Sequence, residues 1–357
     1  MSTMGVGLSV ATRGQSPFRG PTSSLPIKAD NVVRSVITNA LLVLFTTTAE
    51  AQLLRYGPAK TYRIEHEAVF SNGDADLSSV EIWLPVPQSD HGQEVGKLTT
   101  SPETHVWRDA TATTGVAKLY QSERLPGHNK KLSFLVRYEL TTRAVHADRR
   151  ALSEYAAREY TKNDLYKTYT RPEKKIELHL PEITAWAKAA KELDASPVKI
   201  ARRAYDEVLQ RTTYQLIDGF GGAEYCLKNG HGECGDYSAL FVAYCRAAGV
   251  PARPAVGVWA NQTNGWHVWA EFLLPTGEWI PVDCSIGDQN ARNREFYFGS
   301  LDDRRVAFCR TFDIQLTGVS PGHDFLEFVQ AGAWWWHARR IGQRRPSTTF
   351  EVRGKAL

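Results

Sequence analysis

The sequence predicts an α+β protein in which an antiparallel β-sandwich precedes a helix-rich half that ends in further strands. Three observations carry this. The apolar period is two from Tyr62 to about Val145. It lengthens to helical spacing after about Asp148, and short strand-like runs with turn signals return between Ala255 and Asp283. The chain has 357 residues, 42% hydrophobic and 23% charged, ordinary values for a globular protein. Disordered, collagen-like and multi-span membrane classes are excluded on those grounds. A formal net charge of +4 is too small to argue for nucleic acid. Five cysteines in this length are too sparse for a disulfide scaffold.

Residues 1–51 read as a signal peptide with a long N-region. Lys28 and Arg34 precede an apolar run from Val36 to Phe45, and small residues follow up to Ala51, the expected cleavage point. The run is about half of what a bilayer requires. A strand or helix buried in a folded N-terminus is the alternative. No other stretch is apolar enough for a membrane span. The expected divisions are the signal (1–51), the β-sandwich (52–147) and a catalytic domain with a basic C-terminal tail (148–357). The expected location is periplasmic or secreted.

In the first half, Tyr62, Ile64, His66, Ala68 and Phe70 lie on one strand face, and Asn72-Gly73 signals a turn. Val80, Ile82, Leu84 and Val86 form a second such face, and Leu132, Phe134, Val136, Tyr138 and Leu140 a third. His66 sits on the apolar face and reads as a satisfied core histidine. Beyond Asp148, Leu152, Tyr155, Ala156 and Tyr160 fit one helix, and Ile183, Trp186, Ala187 and Ala190 another. Ser196-Pro197 reads as an N-cap with proline at the first helical position, before the stripe Ile200, Ala204, Val208 and Leu209. Asp218 to Gly222 must be a loop.

Cys234 opens the next helix, whose stripe runs through Tyr237, Leu240, Phe241, Tyr244 and Ala248 to a stop at Gly249 and Pro251. Free N–H groups and the dipole at a helix start favour a thiolate, the nucleophilic form of cysteine. Asp236 opposes this as a nearby negative charge, and its simpler role is to complement the helix start. His267 falls on the strand from Trp266 to Leu274, and Asp283 ends the run Trp279 to Asp283. An imidazole can take the thiol proton, and a carboxylate on its far nitrogen fixes the tautomer. Placing His267 directly opposite Asp283 requires paired positions summing to 550, a turn centred at Pro275. A symmetric loop over 275–278 gives 553 and opposite faces unless a bulge corrects it.

The blocks Gly232–Phe241 with Ala247–Arg253, Trp266–Glu271 and Trp279–Asp283, in this order, resemble the bacterial transglutaminase-like superfamily of papain-like cysteine acyltransferases and hydrolases. Phe298 to Val306 is similar to the downstream part of such domains. The resemblance covers about Glu182 to Leu316. It implies a papain-like core and an acyl-thioester mechanism with Cys234 as nucleophile, His267 as base and Asp283 as orienting acid. A β-sandwich ahead of the core is common in the family. Cys284 stands where proline is usual. The Cys234 N–H is one oxyanion donor by this reading. Tyr214 or Gln215 is a candidate second, and Tyr214 equally a helix-end core aromatic.

The function expected is thiol-dependent hydrolysis of protein or peptide amides, with glutamine–lysine cross-linking and an inactive binding module as alternatives. No metal or organic cofactor is implied. A zinc site at Cys226, His231 and Cys234 lacks paired-cysteine spacing. A Cys226–Cys234 disulfide would silence the enzyme. Trp334-Trp335-Trp336 reads as packing at the core's edge or as a cleft or partner surface, and the basic tail beyond it as a solvated end or an attraction to an anionic surface. The oligomeric state is not legible in the sequence.

Overall fold

A computed structural model describes residues 53–108, 114–315, 325–326 and 329–357. The expected signal segment lies outside them. The described residues fall in one compact unit.

The N-terminal strands follow the period-two pattern. They are β1 (Leu54–Ser71), β2 (Asp76–Val86), β3 (Gln93–Ser101), β4 (Val106–Arg108), β5 (Gly115–Gln121) and β6 (Lys131–Ala147). β1 and β6 pair antiparallel along nearly their whole length, from Leu54↔Ala147 to Ser71↔Lys131. The apolar face named above is the buried one: Tyr62, Ile64, Phe70, Phe134, Val136 and Tyr138 are enclosed with Val80, Ile82 and Leu84 of the facing sheet. His66 is fully buried among them. Its Nε2 donates to the Ala331 carbonyl at 2.6 Å, and desolvation lowers its pKa to about 4, so it stays neutral.

The helical half contains α1 (Arg149–Ser153), α2 (Asp164–Thr168), α3 (Pro181–Leu193) and α4 (Pro197–Arg211). The helix expected over 152–160 ends at Ser153 instead. Tertiary bonds hold the next residues open: the Tyr155 carbonyl accepts from Ser196 Oγ at 2.9 Å, and Tyr160 Oη donates to the Leu273 carbonyl at 2.6 Å. Ser196 occupies the N-cap position before Pro197, yet its hydroxyl makes that tertiary bond rather than a cap.

Next come β7 (Thr213–Tyr214), α5 (Gly222–Asn229), β8 (His231–Gly232) and α6 (Cys234–Ala247). Then β9 (Ala252–Trp259), β10 (Trp266–Leu273), β11 (Trp279–Val282) and α7 (Cys284–Gln289) follow. α6 is buried around its circumference from Gly235 to Arg246, because α3, α4 and α5 cover one side and β9 and β10 the other. Gly249 (φ +81°) stops it as expected.

The remaining strands are β12 (Ser300–Leu301), β13 (Arg305–Cys309), β14 (Ile314–Gln315), β15 (Phe325–Leu326), β16 (Ala333–Arg340) and β17 (Ser347–Ala356). The central sheet has the order β11-β10-β9-β13 and carries the site. The last two strands correct the reading of the C-terminal tail. β16 pairs with β2, and β17 pairs with β1 from Tyr62↔Ala356 to Ser71↔Ser347. The two sandwich sheets, β12-β6-β1-β17 with β3 on β6, and β16-β2-β5-β4, therefore draw on both halves of the chain. Arg339 and Arg340 lie on β16, Arg353 and Lys355 on β17, and Arg344 in the turn between them; Arg339 pairs with Asp76 and Arg344 with Asp74, so this stretch is not a free end. The tryptophan triplet packs on both faces of β16: Trp334 and Trp336 join the sandwich core, with Trp334 meeting Phe70 at 6.0 Å, while Trp335 meets Trp83 edge-on at 4.8 Å in the core that surrounds α6.

Candidate active site

Cys234 is the first residue of α6, with Glu233 as N-cap. The approach to it is fixed from both sides. α5 ends at Gly230 in the left-handed region (φ +68°), and β8 then pairs parallel with β7, Tyr214 opposite Gly232. A Cβ on Gly232 would lie 2.7 Å from that of Asp236, so only glycine fits there. Asp236 is buried and works as a tie. One oxygen accepts the Glu233 N–H at 2.8 Å, and the other accepts those of Gly221 at 2.9 Å and Gly222 at 2.7 Å. It complements the helix start, as the sequence suggested, and also anchors the glycine loop beside the cysteine. The Glu233 carboxylate accepts the Ile217 N–H at 3.0 Å from the same loop.

The Cys234 thiol is only partly exposed, and burial pushes its pKa up to about 12, with the Asp283 and Glu233 charges adding to the rise. The backbone N–H groups of Val268 and Gly235 favour the anion and pull the other way without prevailing. The helix start therefore does not by itself make a resting thiolate, contrary to the expectation from position alone. Desolvation of the ion outweighs two amides.

His267 and Asp283 meet. His267 Nε2 donates to Asp283 Oδ2 at 2.7 Å, and both side chains are buried. The register differs from both expected alternatives. Ala270 pairs with Val282 and Leu273 with Trp279, so partners sum to 552, and no bulge intervenes. His267 and Asp283 thus share a face as diagonal neighbours, around a turn in which Gly277 (φ +97°) bonds back to the Leu274 carbonyl. Asp283 is also not a strand residue. It is the N-cap of α7: Oδ1 accepts the Ile286 N–H at 3.1 Å and the Ser285 hydroxyl at 3.1 Å. Cys284, in the place of the usual proline, is buried at the first position of that helix and leaves the carboxylate in place.

The sequence reading missed Arg305, the first residue of β13. Its Nη1 donates to the same Asp283 Oδ2 at 2.6 Å, and the guanidinium is buried. Its carbon lies 4.2 Å from the centroid of the Trp259 ring, and that ring also stacks on the His267 imidazole at 5.0 Å and 25°. β13 is held this close because a Cβ on Gly257, the partner of His267 on β9, would lie 1.8 Å from the Val306 carbonyl. Burial alone would raise Asp283; its interactions with His267 and the Arg305 charge overcome it and hold the carboxyl below its ordinary value. The signal was present in the Arg304-Arg305 pair after the Asp302-Asp303 turn, but no spacing rule linked it to Asp283.

Tyr214 pairs with Gly232, two residues before Cys234, and its ring lies 6.2 Å from that of Tyr237 on α6. Burial lifts its phenol to about 12, and the Cys234 charge is the next contribution. Gln215 uses its backbone N–H on the Gly232 carbonyl at 3.0 Å, and its side chain is exposed. Of the two candidate oxyanion donors, the structure brings Tyr214 toward Cys234. His231 has both ring nitrogens engaged, with Tyr225 Oη and the Asn229 carbonyl at 3.0 Å each. All five cysteines are free thiols, so Cys226 and Cys234 are not bridged.

Residues 184–284, which hold the helix-borne cysteine, the histidine strand and Asp283, match the family model of the transglutaminase-like superfamily. Over those residues the chain is similar to a transglutaminase-like core. The crystal structure of a candidate cysteine protease from Cytophaga hutchinsonii shares the fold at a TM-score of 0.57 and 13% identity, over 85% of this chain and 93% of that one. The periplasmic domain of TgpA from Pseudomonas aeruginosa is a looser likeness, with a TM-score of 0.34 and 15% identity over 66% of this chain and 92% of that one. An uncharacterized protein of Haemophilus influenzae is 29% identical over 146 residues, which is 30% of this chain and 40% of that protein. The match thus spans two fifths of that relative's length. The transglutaminase-like core has the papain-like arrangement of a cysteine enzyme, a buried helix opening on cysteine against an antiparallel sheet. No helix among the described residues is long and apolar enough to cross a membrane.

Proposed function

We propose that the protein is a thiol-dependent amide hydrolase acting on protein or peptide substrates through an acyl-thioester on Cys234. The observation that carries this is the buried His267–Asp283 pair at 2.7 Å, with the Asp283 charge and the Val268 N–H, one residue after His267, both acting on the Cys234 thiol. Ionised Asp283 accepts hydrogen bonds only, so His267 carries its proton on Nε2 and leaves Nδ1 as an acceptor. Nδ1 takes the Cys234 proton as the sulfur attacks the amide carbonyl carbon. The Cys234 N–H and the Tyr214 hydroxyl donate to the oxyanion. Collapse breaks the C–N bond, and the amine leaves with the proton from Nδ1. Water then gives a proton to Nδ1, attacks the thioester and releases the carboxylic acid, and the proton returns to the sulfur.

A thiol whose pKa is pushed up to about 12 suits this order, because the proton moves only when the electrophile arrives. Hydrolysis is favoured over transamidation because no amine site is specified beside the sulfur. The periplasm or the cell exterior is the proposed location, from the signal-like residues 1–51. The test is acid-quench mass spectrometry with a peptide-amide library. A Cys234 acyl adduct should form and decay to acid, and Cys234→Ala should abolish both while unfolding within about 1 kcal/mol of the parent. An equally active Cys234→Ala protein refutes the mechanism. Incorporation of an added primary amine in preference to water would reassign the activity to cross-linking.

A further inference from the structure

We propose that Gln330 is a positioning residue that holds the main chain of His267 in place for its work on Cys234, and that His66 of the sandwich holds Gln330 in turn. The inference rests on the Cys234–His267–Asp283 reading. Its basis is one side-chain amide. Gln330 Nε2 donates to the Gly257 carbonyl at 2.8 Å and to the His267 carbonyl at 3.0 Å. Both partners only accept, so the amide end that faces them is the nitrogen, and both of its N–H groups are engaged. Gly257 and His267 stand opposite one another on β9 and β10. A single side chain thus spans the strand pair at the residue that carries the imidazole. Asp283 and the Trp259 stack fix the ring. Gln330 fixes the backbone from which that ring springs. Val268, the next residue along, supplies an N–H that favours the Cys234 anion. A shift of this stretch would therefore displace two groups that act on the thiol.

Gln330 has little freedom of its own. Residues 329–331 are bound one after another to different strands. The Val329 carbonyl accepts the Cys309 thiol of β13 at 3.7 Å, Gln330 reaches β9 and β10, and the Ala331 carbonyl accepts His66 Nε2 of β1 at 2.6 Å. Beyond them, a Cβ on Gly332 (φ +143°) would lie 2.5 Å from the Phe350 ring and 2.8 Å from the Trp83 carbonyl, so only glycine passes into β16 by this route. His66 meets the His267 strand a second time, with its ring 5.6 Å from that of Trp266, the residue before His267. Sheet closure does not require the glutamine: β9 and β10 pair from Trp266↔Val258 to Phe272↔Ala252 by their own main chains. What the amide adds is a tie from the sandwich to the imidazole's strand, through a buried histidine and one linker carbonyl.

Gln330→Met keeps the length and bulk of the side chain and removes both N–H groups. In folded protein, kcat on a peptide amide should fall by about 10- to 10²-fold, the scale of a misplacement of up to about 1 Å, with KM within about twofold of the parent. Cys234 labelling by iodoacetamide at neutral pH, which needs no substrate, should slow as well. His66→Phe should act in the same direction. His66→Gln, which keeps a donor at the same reach toward Ala331, should recover most of the turnover that His66→Phe loses. The double variant of His66→Phe with Gln330→Met should fall no further than Gln330→Met alone, because both act through one tie. A merely structural role for Gln330 gives a lower urea midpoint with parent kcat and parent labelling in the folded protein, and that result overturns the proposal. So does a double variant whose loss is the product of the two single losses, or a His66→Gln protein as impaired as His66→Phe. His267→Ala separates the two readings. If it turns over or labels at the parent rate, the triad itself fails, whatever Gln330 does.

Discussion

Replacing Asp283 with Asn tests how tightly the orienting carboxylate is constrained. An asparagine must choose which end faces His267. With Nδ2 there, the imidazole would have to accept on Nε2 and carry its proton on Nδ1, where it cannot serve as a base, and Arg305 would face a donor instead of an acceptor. With the amide oxygen there, His267 Nε2 and Arg305 both keep an acceptor, and the cost moves to α7, where Nδ2 confronts the Ile286 N–H now 3.1 Å from Oδ1. Opposing a buried guanidinium with an amide donor costs more than losing one cap, so the oxygen should stay toward His267. The expected stability loss is that of a capping bond, about 1 to 2 kcal/mol. The expected fall in kcat is that of a lost charge at a retained tautomer, on the order of 10²-fold. Urea unfolding and steady-state turnover on a peptide amide measure the two. A fall on the order of 10⁴-fold, the scale of a wrong tautomer, in a protein of parent stability would refute the reasoning.

Tyr214→Phe should lower kcat by about 10²-fold with little change in KM if its hydroxyl donates to the oxyanion, whereas unchanged kinetics would return Tyr214 to a packing role. His66 gives a stability prediction with a definite sign. Its folded pKa of about 4 lies below the unfolded value of 6.5, so the unfolded chain takes up the proton first. Stability is therefore lost as pH falls from about 6.5 to about 4, by about 3 kcal/mol, and the loss is absent above pH 6.5. Urea midpoints across that range should show a steeper fall in the parent than in His66→Phe, and equal slopes would count against a buried neutral His66. Asp236→Ala strands the N–H groups of Glu233, Gly221 and Gly222, so both stability and Cys234 alkylation should drop, the former by about 2 to 4 kcal/mol in urea unfolding.

The sequence was most legible where one periodic signal and one terminator coincide. The faces of β1, β2 and β6, the span of α6 and its Gly249 stop, and the placement of Cys234 at a helix start and His267 on a strand all follow from local pattern. Local pattern failed where distant residues decide. Tyr155 to Tyr160 carry helical spacing, but bonds to Ser196 and Leu273 hold them open. The register of β10 on β11 depends on the Leu274–Glu278 turn, whose conformation no spacing rule predicted. Arg305 lies 22 positions from Asp283 and reaches it only through the β9–β13 pairing. Burial is likewise a property of the whole fold, and for that reason the sulfur's acidity was misjudged from its helix position.

Because residues 333–356 close both sheets of the sandwich, neither sheet has its full set of strands when the first 150 residues leave the ribosome. Synthesis must run through the entire thiol-bearing core before the outer layer can be finished. Assembly of the candidate site and completion of the flanking layer are thereby ordered in time. A chain truncated near residue 330 would keep every reactive group yet present raw strand edges along β1 and β2, inviting association with other chains.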